Sequence, residues 1–542
     1  MEGRRGYTAD EARRARLAVL VLLCLFLLPW LGLTLYNSKG EPREAIVAVS
    51  ILESGDWILP MNYGGDIPYK PPMMAWLIAV LAKVLNGGVV NEYLSRLPSA
   101  LASICMGVAG CAWAGRARGL RFGVMYALVG ATCFEVFRAS TACRLDMLLT
   151  AFMVGAMYMM FGAREAAGDR RRRAWMYAGA WVLLSCATLT KGPVGALLPC
   201  AATGAWRLLR GDRFFPTLLK MLGLSVAALA LPALWYAGAY ERGGERFLQL
   251  AYEENIGRLT GTMSYDSHVK PLWYNFVTLA AGLLPWTLVA AGALAMRPWR
   301  GWRPSLRGLR EMSAAGGFAL VGATVIFVFY CVPESKRSVY LLPMYPFVCY
   351  GLTLMMERYR ASRLMRVAVW ALGSLAVIVP AGFLIAGAVG AVPAELDRMP
   401  AWGPVIALGA AATGVAAIRR RGKHAAAGSV VCAMALYTFY ASTAMPMVLN
   451  PRSDARLVGR VEEIFGHEGP IYSYGKGEGE RLYTLNFYTG DRLRALEGLD
   501  GTRGPVLLLN AADTTAARAA GMRTELVAER SCDHRRALWA AR

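Results

Sequence analysis

Three charged residues lie close together in the segment that follows the first long apolar run: Glu41, Arg43 and Glu44. A carboxylate at the edge of a membrane can act as a general base on a hydroxyl group if burial raises its pKa. Glu41 is therefore a candidate catalytic residue, with Arg43 and Glu44 in supporting positions. The alternative is structural, because acidic residues also end helices where they leave the lipid.

A second carboxylate, Asp146, follows Arg144 by two residues at the start of a later apolar run. Charged side chains at that depth are costly unless they are paired or functional. Asp146 is therefore the second candidate catalytic residue, and Arg144 is a supporting one. The alternative is that the two side chains only neutralise each other in an ion pair.

Cations stand at two further places between apolar runs. Lys70 precedes two prolines, and Lys336 and Arg337 lie in a short polar segment. A fixed ammonium or guanidinium can bind a phosphate group, so these three residues are candidate phosphate ligands. Lys70 could instead extend from the lipid to the interface without binding anything. His268 is alone and gives weak support.

Long apolar segments must position these residues. Of the 542 residues, 56% are hydrophobic and only 18% are charged, whereas soluble domains carry about a quarter charged residues. The apolar residues form runs of about 16 to 26, the length that crosses a hydrocarbon core of roughly 30 Å. Because the runs lack the alternation of barrel strands, they predict an all-α polytopic membrane bundle.

We expect about thirteen transmembrane helices. The run at 72–86 is ambiguous, and we assign it to a short helix at the interface because a crossing there would move every arginine-rich loop outside. The N-terminus is then cytoplasmic and the C-terminus lies outside. The expected spans are 17–36, 97–115, 122–136, 147–163, 174–190, 194–209, 217–238, 273–295, 314–332, 339–356, 365–390, 402–418 and 428–447.

Four loops then meet on the non-cytoplasmic side, and they contain every candidate residue named above. After residue 450 the composition becomes polar, and short strand-like runs alternate with helical patterns such as 511–520. The sequence therefore predicts a membrane domain over 1–450 and a small extracytoplasmic α/β domain over 451–542. The outer loops are 37–71, 137–146, 239–272 and 333–338, and the strand-like runs are 471–474, 506–510 and 523–527.

The net charge of +22 does not indicate a nucleic-acid partner. The arginines form short clusters between apolar runs, which is the positive-inside pattern, and no basic face with stacking aromatic residues is present. The four histidines lack zinc-site spacing. Carboxylates and cations at headgroup level instead suit a lipid phosphate whose chain stays among the membrane lipids.

The same loops resemble those of bacterial class C glycosyltransferases, namely the lipid A 4-amino-4-deoxy-L-arabinose transferases and the wider protein-mannosyltransferase-like family. The resemblance covers roughly residues 17–450, with its motifs in the family's order. The matching segments are Glu41-Pro42-Arg43-Glu44-Ala45, Ser54-Gly55-Asp56-Trp57-Ile58-Leu59-Pro60, Lys70-Pro71-Pro72, Arg144-Leu145-Asp146-Met147, Leu189-Thr190-Lys191-Gly192-Pro193, 268–274 and Ser335-Lys336-Arg337-Ser338-Val339-Tyr340-Leu341-Leu342-Pro343.

The resemblance implies that a sugar moves from a polyprenyl-phosphate donor to a lipid, glycan or protein acceptor of the envelope. The reaction would take place on the periplasmic side of the bacterial inner membrane. Lys70 and Tyr340 match residues implicated in holding the donor phosphate, and Lys336 and Arg337 are placed to help. A hydroxyl acceptor would need Glu41 as general base, with Asp146 orienting it or sharing that role, whereas a phosphate acceptor would need no base.

Two positions depart from the family. The first-loop acid is usually an Asp followed by Glu, and here the pair is Gly40-Glu41, although Asp146 matches the second acid directly. No cofactor is certain. Some members carry a divalent metal ion near the Lys-Pro-Pro motif with an acidic residue before the Lys, where this chain has Tyr69.

Two other classes remain open from the sequence. A transporter would show ionisable residues or broken helices near the middle of spans and an inverted repeat, and neither is evident. A non-catalytic envelope-assembly protein on the same scaffold would fit the departure at Gly40-Glu41. The sequence leaves the sugar and the acceptor undetermined.

Overall fold

The computed structural model describes most of the chain between residues 7 and 541. The residues left out within these limits are 39, 69, 258–268, 296–305, 360–361, 394–395, 397–399, 421–422, 476–480, 500–504 and 533–536.

Helices account for nearly all regular structure before residue 450. Shorter 3-10 and π-helical turns connect several of them, including Ser338–Met344 and Glu253–Gly257. The α-helices are α1 (Ala9–Leu27), α2 (Pro42–Ser54), α3 (Met73–Leu85), α4 (Glu92–Arg118), α5 (Leu120–Ala131), α6 (Phe134–Ser140), α7 (Leu145–Glu165), α8 (Arg170–Lys191), α9 (Val194–Leu209), α10 (Phe214–Ala228), α11 (Ala230–Tyr252), α12 (Tyr274–Gly282), α13 (Trp286–Ala295), α14 (Leu306–Glu311), α15 (Ala314–Cys331), α16 (Tyr345–Tyr359), α17 (Arg363–Ala388), α18 (Trp402–Arg419), α19 (Lys423–Phe439) and α20 (Met445–Leu449).

The chain is a multi-pass membrane protein with an all-α bundle, as the sequence predicts. In the described ranges, eight helices are long and apolar enough to cross a membrane, or up to ten if two bent pairs each count as one span. The expected number of about thirteen spans is not confirmed. One reason is that the run at 273–295 breaks into α12 and α13, which meet at 108°. The run at 194–209 forms only a short apolar helix, α9.

Two of the expected loops contain helices. In the loop 37–71, α2 begins at Pro42, whose fixed φ suits the first turn of a helix, and ends at Gly55 in the left-handed conformation. The expected loop 239–272 is helical in its first half, because α11 continues to Tyr252 and a π-helical turn follows it.

Close contact between helices depends on small residues, as is usual in membranes. At the contact of α4 with α5, a β-carbon on Gly123 would lie 2.9 Å from Cα of Gly115. Trp113 of α4 stacks on Tyr158 of α7 with ring centroids 4.9 Å apart. Helix α4 therefore packs closely against both α5 and α7, and it also carries Arg96, a residue of the candidate site.

Residues 454–541, below called the C-terminal region, form a mixed five-stranded sheet in the order β2-β1-β3-β5-β4. The first three strands in this order are parallel, and β5 pairs antiparallel with both β3 and β4. Three strands lie where the sequence predicts them, whereas β2 and β5 were not expected. The strands are β1 (Ile471–Tyr474), β2 (Leu493–Leu496), β3 (Val506–Leu508), β4 (Thr524–Ala528) and β5 (Leu538–Ala541), and the α-helices are α21 (Val458–Phe465), α22 (Tyr483–Tyr488) and α23 (Asp513–Ala519).

Buried hydrogen bonds attach the C-terminal region to the segment 35–68. The carboxylate of Asp491 accepts from the Ser50 hydroxyl at 3.0 Å, the Tyr63 backbone N–H at 3.0 Å and the Asn486 amide at 2.7 Å. Tyr488 adds a second contact, since its hydroxyl accepts from the Tyr36 N–H at 2.9 Å. The C-terminal region therefore packs directly on the segment that carries Glu41, Arg43 and Glu44.

We predict that Asp491→Ala loosens this attachment, because it leaves buried donors without an acceptor at a cost of about 1–3 kcal/mol. Trypsin should then cleave the C-terminal region roughly 5- to 150-fold faster, since cleavage follows the population of the open form. Glu529→Ala, a change at an exposed residue, is the matched control. Equal cleavage rates for the two variants would contradict the assigned role of Asp491.

Candidate active site

The carboxylate of Glu41 is engaged by a buried arginine. Arg96, in the second turn of α4, donates to one Glu41 oxygen from Nη2 at 2.6 Å and from Nε at 3.3 Å. The other Glu41 oxygen accepts from the backbone N–H of Cys143 at 3.0 Å. Glu41 therefore joins the segments around residues 41, 96 and 143.

The remaining donors of Arg96 bind the end of the first apolar run. Its Nη1 donates to the backbone carbonyls of Leu31 at 2.7 Å and Thr34 at 2.6 Å, and its guanidinium lies 5.2 Å from the ring centroid of Tyr36. Sequence reasoning missed Arg96 because it stands at the edge of an expected span. The contacts favour a structural role for Glu41, while its catalytic role stays a prediction.

Asp146, at the start of α7, pairs with a lysine rather than with the expected arginine. The Lys191 ammonium donates to Asp146 at 2.5 Å, and it also lies 4.4 Å from the ring centroid of Tyr340. An Arg144–Asp146 ion pair, the structural alternative from the sequence, is not formed. Lys191 lies in a motif that the sequence singled out, but no role was assigned to it.

Further cations surround Asp146. Arg144 and Arg337 both act on its carboxylate electrostatically. Lys336 is buried, and its ammonium donates to the backbone carbonyl of Pro333 at 2.6 Å. The structure thus brings together residues from the expected loops 137–146 and 333–338, together with Lys191 at the end of α8.

Lys70 lies on the other side of the turn that ends α8. Its ammonium forms an ion pair with Glu254, in the π-helical turn after α11. The neighbouring Asn255 side chain packs against Gly192, which has a φ of +85° and no room for a side chain. This contact links the Lys70–Glu254 pair to the Lys191–Asp146 pair. We call the surface formed by residues 40–44, 70, 141–146, 191–193, 253–257 and 333–340 the loop face.

A polar cavity of about 620 Å³ opens beside Lys70, between the loop face and the C-terminal region. Arg481 of the C-terminal region donates to Asp66 at 2.6 and 3.1 Å, and these hydrogen bonds raise the pKa of Arg481. The charged residues that line the cavity are Arg43, Glu44, Asp66, Lys70, Arg246, Glu253, Arg481 and Glu497.

Three sequence candidates remain, Arg43, Glu44 and His268, and the structure adds Cys143 beside Glu41. Arg43 pairs with Glu44 at 3.2 Å on the cavity wall. Burial, followed by the carboxylates of Glu41 and Glu44, raises the pKa of the Cys143 thiol, which therefore stays protonated and is a poor nucleophile. His268 lies outside the described residues.

The described side chains near Lys70 do not fit a divalent metal ion, which the resemblance allows there. No group of three His, Cys, Asp or Glu side chains in the described part of the chain lies close enough together to hold one. The carboxylate of Glu254 is engaged by the Lys70 ammonium, and residue 69 is a tyrosine. We derive no catalytic step through a metal.

Comparison with known proteins confirms the resemblance to class C glycosyltransferases. Residues 69–236 match the dolichyl-phosphate-mannose-protein mannosyltransferase family. The undecaprenyl phosphate-alpha-4-amino-4-deoxy-L-arabinose arabinosyl transferase of Edwardsiella ictaluri is 27% identical over 337 residues, which are 61% of this chain and 56% of that protein. An uncharacterized protein of Aquifex aeolicus is 26% identical over 60% of this chain and 61% of its own length. The matches thus span less than two thirds of either relative.

The fold is shared with a solved crystal structure. The crystal structure of ArnT from Cupriavidus metallidurans bound to undecaprenyl phosphate matches with a TM-score of 0.74 over 98% of both chains, at 21% identity. The match includes the C-terminal region as well as the bundle. At this identity the match establishes the shared architecture, whereas activity must be argued from the site.

We predict that Arg96→Met lowers the free energy of unfolding by about 3–5 kcal/mol, because it leaves a buried carboxylate without its cation. The double variant Glu41→Gln/Arg96→Met should recover part of this loss. Thermal unfolding in detergent, followed by tryptophan fluorescence, measures both. Arg14→Met, at an exposed residue of α1, is the control and should change little. If Arg96→Met is as stable as the wild type, the Glu41–Arg96 ion pair has no structural role.

Proposed function

We propose that this protein is an integral membrane glycosyltransferase that moves a sugar from a polyprenyl-phosphate donor to an envelope acceptor. The observation that carries the proposal is the Asp146–Lys191 pair at 2.5 Å, surrounded by the cations of the loop face. The fold shared with ArnT and the similarity to arabinosyl transferases that use an undecaprenyl phosphate-linked sugar support a lipid-phosphate sugar donor and a lipid or glycan acceptor.

An apolar cavity offers space for the donor's lipid chain. It measures about 940 Å³ and runs along α3, α4 and α7, from Leu77 and Leu81 to Arg116. Since α3 follows Lys70-Pro71-Pro72 directly, a phosphate at Lys70 would lie at the loop-face end of this cavity. An isoprenoid chain could then remain in apolar surroundings while the sugar reaches the polar side.

The cations of the loop face would stabilise the leaving group. As the bond between the sugar's anomeric carbon and the phosphate oxygen breaks, the electron pair stays on the phosphate, and preorganised cations bind that charge without reorganising. We assign this role to Lys70, Lys191 and Arg337. The Lys70 ion pair with Glu254, the contact of Lys191 with the Tyr340 ring and the electrostatic action of Arg337 on Asp146 support the assignment. Lys336 supports the loop through its bond to Pro333.

Of the two carboxylates, we assign proton transfer to Asp146, because its hydrogen bond with Lys191 engages one of its two oxygens. A hydroxyl acceptor would give its proton to the Asp146 carboxylate as its oxygen bonds to the anomeric carbon, and Lys191 would hold the carboxylate in place. Glu41 has both oxygens bound to Arg96 and to the Cys143 N–H, which leaves it less suited to accept a proton. A phosphate acceptor is already nucleophilic and would require no base.

We further propose that the loop face lies on the non-cytoplasmic side of the bacterial inner membrane, with a cytoplasmic N-terminus and a periplasmic C-terminus. The arginine-rich segments at 116–121 and 170–173 support this orientation. The membrane domain would then end near residue 450, and residues 451–542 would form a periplasmic domain.

We expect Asp146→Asn to lower the rate of sugar transfer about 10²- to 10⁴-fold, because the amide cannot accept the acceptor's proton. Binding of undecaprenyl phosphate should be retained. Glu53→Gln, at an exposed carboxylate of α2, is the control. Wild-type transfer rates in the Asp146→Asn protein would remove the proton-transfer role and favour a phosphate acceptor.

Lys70→Ala should weaken binding of undecaprenyl phosphate roughly 10- to 150-fold, the loss expected for one hydrogen bond to a charged group. Native mass spectrometry of the purified protein measures the affinity. The double variant Lys70→Met/Glu254→Gln controls for the carboxylate that the single change leaves unpaired. If both variants bind undecaprenyl phosphate as tightly as the wild type, Lys70 forms only a structural ion pair with Glu254.

The proposed activity itself is tested by mass spectrometry of lipid A and other envelope glycans from a deletion strain and its complemented parent. We expect the deletion to remove one sugar-sized mass from one class of envelope molecule, which identifies the acceptor. Unchanged envelope glycans in the deletion strain would argue against a glycosyltransferase.

A further inference from the structure

The guanidinium of Arg144 occupies the space beside Gly40 that a side chain would otherwise fill. A β-carbon built on Gly40 would lie 2.5 Å from Nη2 and 3.2 Å from Cζ of Arg144. Atoms at these separations would clash, so the guanidinium can pack there only because residue 40 is glycine. The backbone around it is held by two hydrogen bonds, from Cys143 to Glu41 at 3.0 Å and from Ser99 to the Arg144 carbonyl at 3.1 Å.

Arg144 is only partly exposed, yet its side chain has no hydrogen bond and no ion pair with any residue that the structure describes. The carboxylates nearest to it are already engaged. Glu41 binds Arg96 at 2.6 Å, and Asp146 binds Lys191 at 2.5 Å. A guanidinium carries five N–H donors in a planar fork, and leaving them unsatisfied away from bulk water is costly.

The carboxylate beside Arg144 cannot serve it alone. Arg144, Lys191 and Arg337 all act on the carboxylate of Asp146, and Lys191 already binds that carboxylate at 2.5 Å. The Arg144 guanidinium is therefore available to bind an anion. The planar fork of an arginine suits a phosphate or carboxylate group, which it can bind through two parallel hydrogen bonds.

We propose that Arg144, packed against Gly40, is a substrate-binding residue that recognises a phosphate or carboxylate group of one of the two substrates. This inference rests on the proposed glycosyltransferase function and adds a specificity-determining residue to it. The anionic group is either the phosphate of the lipid donor or an acidic group on the acceptor or on the transferred sugar.

Gly40→Asp is the most informative variant. Its side chain would displace the guanidinium from the backbone and place a carboxylate next to it, so Arg144 would gain a permanent internal partner. Arg144→Gln removes the charge, whereas Arg144→Lys keeps a charge without the fork. Arg460→Gln, at an exposed residue of the C-terminal region, is the matched control.

The first experiment uses inorganic phosphate as the probe and does not depend on catalysis. Thermal unfolding of the purified full-length protein is measured in detergent against phosphate concentration, with ionic strength held constant by chloride. We expect phosphate to stabilise the wild type and the Arg460→Gln control. Arg144→Gln and Gly40→Asp should each weaken the apparent phosphate affinity roughly 10- to 150-fold, and Arg144→Lys should weaken it less.

The second experiment identifies the source of the anion. If affinity for undecaprenyl phosphate falls in Arg144→Gln and Gly40→Asp, the group is the donor's phosphate. If that affinity is unchanged while transfer falls, the group belongs to the acceptor or to the sugar. Either result supports the inference.

Equal phosphate affinity in the wild type, Arg144→Gln and Gly40→Asp would overturn the inference while leaving the glycosyltransferase proposal intact. Conversely, the wild type could bind phosphate through Arg144 and yet transfer no sugar in cells. That result would contradict the proposed function and support the anion site. Should Arg144→Gln fail to fold, Gly40→Asp, which retains the arginine, decides the outcome.

Discussion

The arrangement of the loop face depends on one buried guanidinium. Arg96 is 4% exposed and must satisfy its donors where water is scarce, because an unpaired buried charge is far more costly than a paired one. It does so with the carbonyls of Leu31 and Thr34 and the carboxylate of Glu41. These partners lie on both sides of the turn after α1, so the guanidinium determines how the chain leaves that helix.

The second oxygen of Glu41 connects the Arg96 contacts to the rest of the site. This oxygen accepts a hydrogen bond from the Cys143 N–H, two residues before the start of α7. The bond thereby helps to fix the position of Asp146 in the first turn of α7. Asp146 in turn binds Lys191 at the end of α8, and the turn at Gly192 packs against Asn255, next to the Glu254 that holds Lys70. The two lysines are thus positioned through contacts that begin at Arg96. Ion pairs in surroundings of low dielectric are strong, which keeps each cation in place before a substrate binds.

The same pairs limit how tightly a phosphate can bind. A lysine that already has a carboxylate partner must share or exchange that partner when an anion arrives, so part of the interaction energy is lost. Lys70 and Lys191 are both in this position. Such competition is compatible with the proposed sugar transfer, in which the charge that grows on a leaving phosphate would strengthen its bonds to the cations in the transition state. It would also allow a product lipid phosphate to leave.

The sequence was sufficient to predict the parts that follow from local pattern. Apolar runs predicted the bundle, and the polar composition after residue 450 predicted the small α/β unit. Pairings between distant segments could not be predicted in this way: Glu41 and Arg96 are 55 positions apart, and Lys191 and Asp146 are 45 apart. Strand β5 was missed because Leu538–Ala541 is short and ends the chain, and its pairing with Val506–Leu508 depends on tertiary contacts.

The contacts of residues 40 and 41 explain the departure of Gly40-Glu41 from the family's pattern. A carboxylate at residue 41 has a structural partner in Arg96, so its presence does not show that the loop supplies a catalytic acid. The absence of a side chain at residue 40 is what lets the Arg144 guanidinium approach the backbone. The resemblance implies an acidic residue at position 40, and this chain lacks that negative charge next to Arg144. Because removal of a negative charge from a site of low dielectric changes which substrates can bind, the proposed role of Arg144 implies a specificity different from that of proteins with an acid at residue 40.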